Sequence, residues 1–197
     1  MGEMPLGLSR AAESDLDVIT GLIDEAAGWL RTKNTDQWAQ PWPSEEDRSD
    51  RILTDLLAGK TCIAWDGDTP VATITASAED NPIWPAETQR ERAVYVCRLV
   101  VRRSYSGQDL GAMLLDLAGI SAKQAIGARW IRVDVWTTNR ALHAYYMQQG
   151  FEFCGFAENA DHYPAAALFQ KSTDDIDPEC QLRFGADRPP DAVKRWR

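Results

Sequence analysis

Leu16, Ile19, Ile23, Ala26 and Leu30 recur at the three-and-four spacing of one helix face. Ser14, with Asp17 three residues on, reads as the N-terminal cap, so a helix is predicted from there to about Arg31. Pro41 and Pro43 mark residues 32–43 as loop, and Ser44 caps a second helix whose apolar face is Ile52, Leu53, Leu56 and Leu57, stopped by Gly59. Two β-branched runs, 61–65 and 70–77, flank Asp66-Gly67, a dipeptide suited to the positive φ angles of a tight hairpin, and predict an antiparallel pair. A polar loop over 79–92 holds Pro82, Trp84 and Pro85. The nearly unbroken apolar run from Ala93 to Val101 is then the pattern of a central strand covered on both faces.

After Gly107 the period returns to 3.6, with Leu110, Met113, Leu114, Leu117, Ala118 and Ser121 on one face of a helix ending near Gly127. Trp130 to Trp136 reads as a strand. Asn139 caps a helix that stops at Gly150, and Phe151 to Phe156 and Ala165 to Gln170 supply two further strands. The predicted fold is α/β: a mixed, mostly antiparallel sheet with a parallel central pair, flanked by about four helices. Residues 1–171 form one domain, and 172–197 a charged C-terminal extension.

Composition narrows the function. Lys and Arg total 21 against 30 Asp and Glu, a net charge of −9 that disfavours nucleic acid and steers cations toward the surface. Four cysteines, Cys62, Cys97, Cys154 and Cys180, form no C-x-x-C pair; the first three sit in apolar segments as small hydrophobes, which suits a reducing compartment. No basic-then-apolar leader and no membrane-length apolar stretch occurs, so a cytoplasmic chain without a membrane partner is expected. His143 and His162 are far apart and lack cysteines at ligand spacing, so no metal site is expected. Ala58-Gly59-Lys60-Thr61 imitates the end of a nucleotide-binding loop, but Thr54 stands where that loop needs glycine, and a strand follows instead of a helix. It reads as a helix stop.

The chemistry concentrates after Val101. There a buried strand passes through Ser106, Gly107, Gln108 and Asp109 into the helix opened by Leu110, Gly111 and Ala112. First-turn N–H groups have no intrahelical acceptors and converge on one spot, and the helix dipole favours an anion there. A second segment, Asn139 to Phe151, places Tyr146 two turns along the same helix face from Asn139, before Gly150-Phe151.

Together these segments resemble the GNAT superfamily of N-acetyltransferases, over roughly Ala93 to Phe156, and the preceding helix–helix–hairpin order agrees with it. The resemblance implies direct transfer of an acetyl group, within a ternary complex, from the co-substrate acetyl-CoA to a primary amine. It implies that the strand residues Leu99, Val100 and Val101 lie along the pantetheine, Leu99 and Val101 bonding its amides. Ser106, Gly107, Gln108, Asp109, Leu110, Gly111 and Ala112 would cradle the pyrophosphate. Asn139 would touch the coenzyme arm, and Tyr146 would both contact the coenzyme and protonate the departing thiolate. That last assignment suits a neutral phenol within hydrogen-bond reach of sulfur.

Two departures from the family pattern stand out. Its turn reads Gln or Arg, then Gly, then Gly or Ala at positions occupied here by Ser106, Asp109 and Gly111, so a carboxylate lies beside the expected pyrophosphate, with Arg102 and Arg103 near enough in sequence to offset it. The strand glutamate that many members use as base is Tyr95 here. Glu87 and Glu91 in the preceding loop are the candidate bases, with Asp134 on the next strand a further one. Cys97 is expected as a core thiol. Trp29, Trp38, Trp42 and Trp84 are candidates for an aromatic wall around a small, cationic amine. The competing readings are a non-catalytic coenzyme A sensor or interaction module of the same fold, and a homodimeric scaffold.

Overall fold

A computed structural model of the chain describes residues 6–33, 35–41, 43–157 and 164–177. Seven strands form one sheet: β1 (Gly7–Arg10), β2 (Thr61–Asp66), β3 (Thr69–Ser77), β4 (Ala93–Val101), β5 (Trp130–Val135), β6 (Glu152–Phe156) and β7 (Ala167–Ser172), in the order β1-β2-β3-β4-β5-β7-β6. Every pairing is antiparallel except β4 with β5. The mixed sheet with one parallel pair is the one the sequence predicts.

Four helices cover it: α1 (Leu16–Leu30), α2 (Glu45–Leu57), α3 (Leu110–Ile126) and α4 (Arg140–Gln148). Helices α1 and α2 bury Ile19, Leu22, Ile52 and Leu56 against Ile63 and Val100. Cys62 and Ala64, which alternate with Ile63, and Val94 and Val96, which precede an irregularity in β4, pack with Leu114, Leu115 and Ala118 of α3 on the opposite face. Gly119 makes that second layer close, because a Cβ there would collide with Ile131 and Ile176.

Some expectations shift. Strand β1 was not predicted: four residues, all half-buried, carry too little alternation to be read. Because the chain leaves β1 through a 3-10 turn, α1 begins after Asp15 without a side-chain cap, so Ser14 does not cap it; the capping bond belongs to the 3-10 turn. The Asp15 carboxylate accepts from the Ala12 N–H at 2.8 Å. Ser44 does cap α2, its hydroxyl accepting from the Asp47 N–H at 3.1 Å. Leu57, predicted on the apolar face of α2, is 66% exposed, while Ile52 and Leu56 carry the packing. Gly59, at φ +67°, ends that helix as predicted. Cys97 and Cys154 are accessible and only Cys62 is core. Cys180, His162 and Trp42 lie outside the described residues.

The proposed extension begins inside the domain. Ser172 closes β7, Thr173 donates to the Ala128 carbonyl at 2.8 Å, and Ile176 is buried beside α3; the charged run from 178 onward lies outside the described residues. No helix among the described residues is long and apolar enough to cross a membrane.

Candidate active site

The site originates in a bulge. Cys97 pairs with Thr75 and Val100 with Thr73, so three steps along β4 match two along β3, and Arg98 takes φ +48° to absorb the extra residue. An ion pair from Arg98 to Asp55 of α2 holds this conformation. The extra residue increases local twist and turns β4 away from β5. Their pairing accordingly ends at Val96 with Val133, after which β5 follows β7 while β4 runs on beside β3 to Val101. Backbone groups of β4 that would have bonded β5 face a gap.

A cavity of about 1080 Å³ fills that gap. Val96 to Val101 form one wall, and Asp134, Val135 and Trp136 the other. Ser106, Gly107, Asp109, Leu110 and Gly111 close one end, α4 contributes Tyr145 and Tyr146, and the α1–α2 side adds Trp29, Trp38 and Arg51.

At the closed end, Gly107 has φ +82° and Asp109 φ +57°, so two left-handed residues turn the chain into α3. Aspartate tolerates this geometry better than most L-residues. The first N–H to bond back is that of Met113, to the Asp109 carbonyl at 2.9 Å. Among the described residues, the N–H groups of Gly107, Gln108, Asp109, Leu110, Gly111 and Ala112 have no protein acceptor. Six donors without protein acceptors at the positive end of a 17-residue helix are an arrangement that favours an anion. Gly111 leaves room for Tyr145: a Cβ would stand 2.7 Å from its hydroxyl and would displace that ring. Of the two neighbouring arginines, Arg102 is committed to Glu25 at 3.2 Å, while Arg103, stacked over Trp29 at 3.8 Å, keeps its charge and lines the cavity with Asp109.

Tyr146 lies at the centre, 7% exposed, its ring packed on Phe151 and Phe169 at 5.2 and 6.1 Å. Burial, then the nearby Tyr145, Asp134 and Cys97, hold its phenol protonated well above the ordinary tyrosine range. No described residue bonds its hydroxyl. Asn139 lines the cavity two turns away, but its side chain is committed: the carbonyl oxygen accepts from the Leu142 N–H at 3.0 Å, and the amide nitrogen donates to Gln37.

The candidate bases separate. Glu91 accepts from the Trp130 indole at 2.9 Å and from Arg129 at 3.1 Å, and Glu87 is exposed at the start of a 3-10 turn; neither lines the cavity. Their loop is pinned to the far end of β4. Arg132, 1% exposed, donates to the Thr88 carbonyl at 2.8 Å and to the Tyr95 hydroxyl at 3.2 Å, and lies 4.9 Å from the Trp84 ring. Tyr95 and Trp84 are therefore core, and the expected aromatic wall keeps only Trp29 and Trp38 among the described residues, with Trp136 added. Asp134 does line the cavity, one oxygen accepting from Asn81 at 3.1 Å.

Sequence reasoning missed Tyr145, whose phenol is pushed up to about 12 by burial and by Asp109 and Asp116. Its only signal was adjacency to Tyr146. Cys97 opens onto the cavity while enclosed by protein, which pushes its thiol up although Arg98 opposes this. The charge of the lining was also missed. Among the described residues six cationic side chains, Lys33, Arg48, Arg51, Arg98, Arg103 and Arg140, face two acidic ones, Asp109 and Asp134.

Comparison with known proteins matches this arrangement. The model of the acetyltransferase (GNAT) family matches residues 25–151. The uncharacterised N-acetyltransferase YesJ of Bacillus subtilis (strain 168) is 28% identical over 166 residues, 82% of this chain and 87% of its own length. Among solved structures, a GNAT family acetyltransferase of Listeria monocytogenes 4b F2365 superposes with a TM-score of 0.67 at 20% identity, covering 85% of this chain and 94% of the other. The PaiA N-acetyltransferase of Thermoplasma acidophilum, in complex with coenzyme A, gives 0.66 at 16% identity, covering 86% and 99%. At such identities the two structures speak for the fold.

Proposed function

Because the chain belongs to the acetyltransferase (GNAT) family, and is thus an acyl-CoA-dependent acetyltransferase using acetyl-CoA, we propose that it acetylates the primary amine of a small molecule by direct transfer. The observation that carries this reading is the opened β4–β5 seam, with six free N–H groups at one end and the Tyr146 phenol at its centre.

The residues present fit the donor. The turn from Ser106 to Ala112 holds the pyrophosphate, and the unpaired edge of β4 at Leu99, Val100 and Val101 bonds the pantetheine amides. Bound acetyl-CoA supplies the activated acetyl thioester. Tyr146, kept neutral by burial, gives its proton to the departing thiolate sulfur. A β4 N–H next to the bulge polarises the thioester carbonyl. Asp134 takes the proton from the acceptor ammonium, directly or through water, a role Glu87 and Glu91 are too remote to fill. Asn139 acts by capping α4 and so aiming Tyr146, with its side chain spent inside the protein. The accessible thiols suit a reducing cytoplasm.

The net charge of −9 argued for a cationic acceptor, but it averages the whole surface; the lining has the opposite sign, so recognition inside does not follow steering outside.

The test is thiol release with an amine panel. Acetyl-CoA raises the melting temperature of the wild type and of Tyr146→Phe alike, since the folded state alone binds it. Turnover in Tyr146→Phe falls by about 10²–10⁴. Unchanged turnover removes the acid role, and no thermal shift at millimolar donor removes the binding site.

A further inference from the structure

The cations of the cavity divide by position. Arg103 and Arg140 lie at the end closed by the α3 turn and at the start of α4, where the phosphates of the donor belong. Arg51 and Arg98 come instead from α2 and the β4 bulge, whereas Lys33 shares the Trp29 ring with Arg103, and Arg48 pairs with Asp24 beside the Glu25 that holds Arg102. Arg51 and Arg98 both act electrostatically on the Cys97 thiol, as does Asp134. Cys97 is four residues before Val101, so at about 3.3 Å per residue this group lies about 13 Å back from the phosphate turn. That distance is too long for it to serve the pyrophosphate. It surrounds the reacting end.

The partners of these cations stand behind them. Arg98 is paired with Asp55, and Arg48 with Asp24 at 2.8 Å and Glu45 at 3.9 Å; none of those three carboxylates lines the cavity. The ion pair fixes the Arg98 guanidinium in place, and the Arg51 Nε donates to the Asp47 carbonyl at 3.3 Å, so both residues are held where they line the cavity. Lys33 is held over the Trp29 ring at 5.1 Å. Opposite them, Asp134 is the sole carboxylate lining the cavity at this end among the described residues, Asp55 standing behind Arg98. A second ammonium on the acceptor would meet like charge, whereas an anion would meet planar donor forks that match a carboxylate in shape and sign.

From this we infer that the acceptor carries a carboxylate as well as its amine, as a free amino acid does. The carboxylate is read by Arg51 and Arg98, and the amine is presented toward Asp134 and Tyr146. This rests on the amine-acceptor reading above and deepens it by naming the substrate class.

The experiment measures coenzyme A release by the full chain with matched pairs: L-lysine and cadaverine, L-ornithine and putrescine, L-tyrosine and tyramine, with O-phosphoethanolamine beside ethanolamine. The expected result is kcat/KM at least tenfold higher for the carboxylate-bearing member of any pair turned over, the loss of a charge-assisted hydrogen bond being worth roughly that factor. In Arg51→Gln the ratio should fall to within about threefold, and in Arg51→Glu it should invert, with thermal stabilisation by acetyl-CoA retained in both. Equal or faster turnover of the decarboxylated members overturns the inference, as does preference for the phosphate ester. A ratio unmoved by both Arg51 variants overturns the assignment to these arginines. No turnover of any amine, with the donor still stabilising the protein, refutes the amine reading itself and is a distinct result.

Discussion

Replacing Asp109 by Asn should tighten donor binding, and the effect can be sized from its position. Asp109 is exposed at the N-terminus of α3 in a left-handed conformation, its own N–H among the six free donors that converge on the anion site. A carboxylate about 4 Å from a phosphate oxygen costs about 1 kcal/mol at the dielectric of water and about 4 at an effective value near 20. Exposure favours the lower figure, or about fivefold in Kd. Arg102 is paired with Glu25, and Arg103, stacked over Trp29, is common to wild type and variant and does not alter the difference between them. Asparagine keeps the tolerance for φ +57° and removes only the charge, so it separates electrostatics from backbone strain; Asp109→Gly changes both. Calorimetric titration with coenzyme A at 50 mM salt should show Asp109→Asn binding about fivefold tighter, and the advantage should collapse at 1 M salt, where the screening length is about 3 Å. Equal or weaker binding by Asp109→Asn at low salt would refute the placement of the carboxylate beside the pyrophosphate.

Other outcomes follow from the same geometry. Asp134→Asn should lower kcat by about 10²-fold or more, whereas Glu91→Gln should leave kcat/KM within about twofold; the reverse pattern in steady-state kinetics would return the base to the 79–92 loop. Gly119→Ala should destabilise the protein by about 1–3 kcal/mol in urea titration, despite alanine's better helix propensity, because its methyl collides with Ile131 and Ile176. An unchanged midpoint would mean that α3 can move away at no cost. Burial raises the Tyr145 phenol to about 12, above its unfolded value near 10, so its contribution is fully present below pH 10 and is lost as pH rises toward 12. The denaturation midpoint should therefore fall more steeply over that window in the wild type than in Tyr145→Phe; parallel curves would contradict this.

What could be read along the chain was whatever a local period or a single turn dictates. The apolar run Ala93 to Val101, the return to helical spacing after Gly107, the caps at Ser44 and Asn139 and the stop at Gly59 each follow from a few adjacent side chains, and they were sufficient for the mixed sheet and the glycine-bearing turn into α3. Strand β1 escaped because four half-buried residues carry no period. Tertiary structure decided the rest, since it depended on residues distant in sequence. The bulge at Arg98 exists only in register against β3 and is held by Asp55 from α2, yet it opens the seam that becomes the cavity. Arg132 pins the 79–92 loop to the sheet and so keeps Glu87 and Glu91 off the cavity lining, leaving Asp134, one of three candidates in the sequence, beside Tyr146. The sign of the lining was likewise beyond composition: a net charge sums every side chain with equal weight, while a cavity feels only the few that folding turns inward.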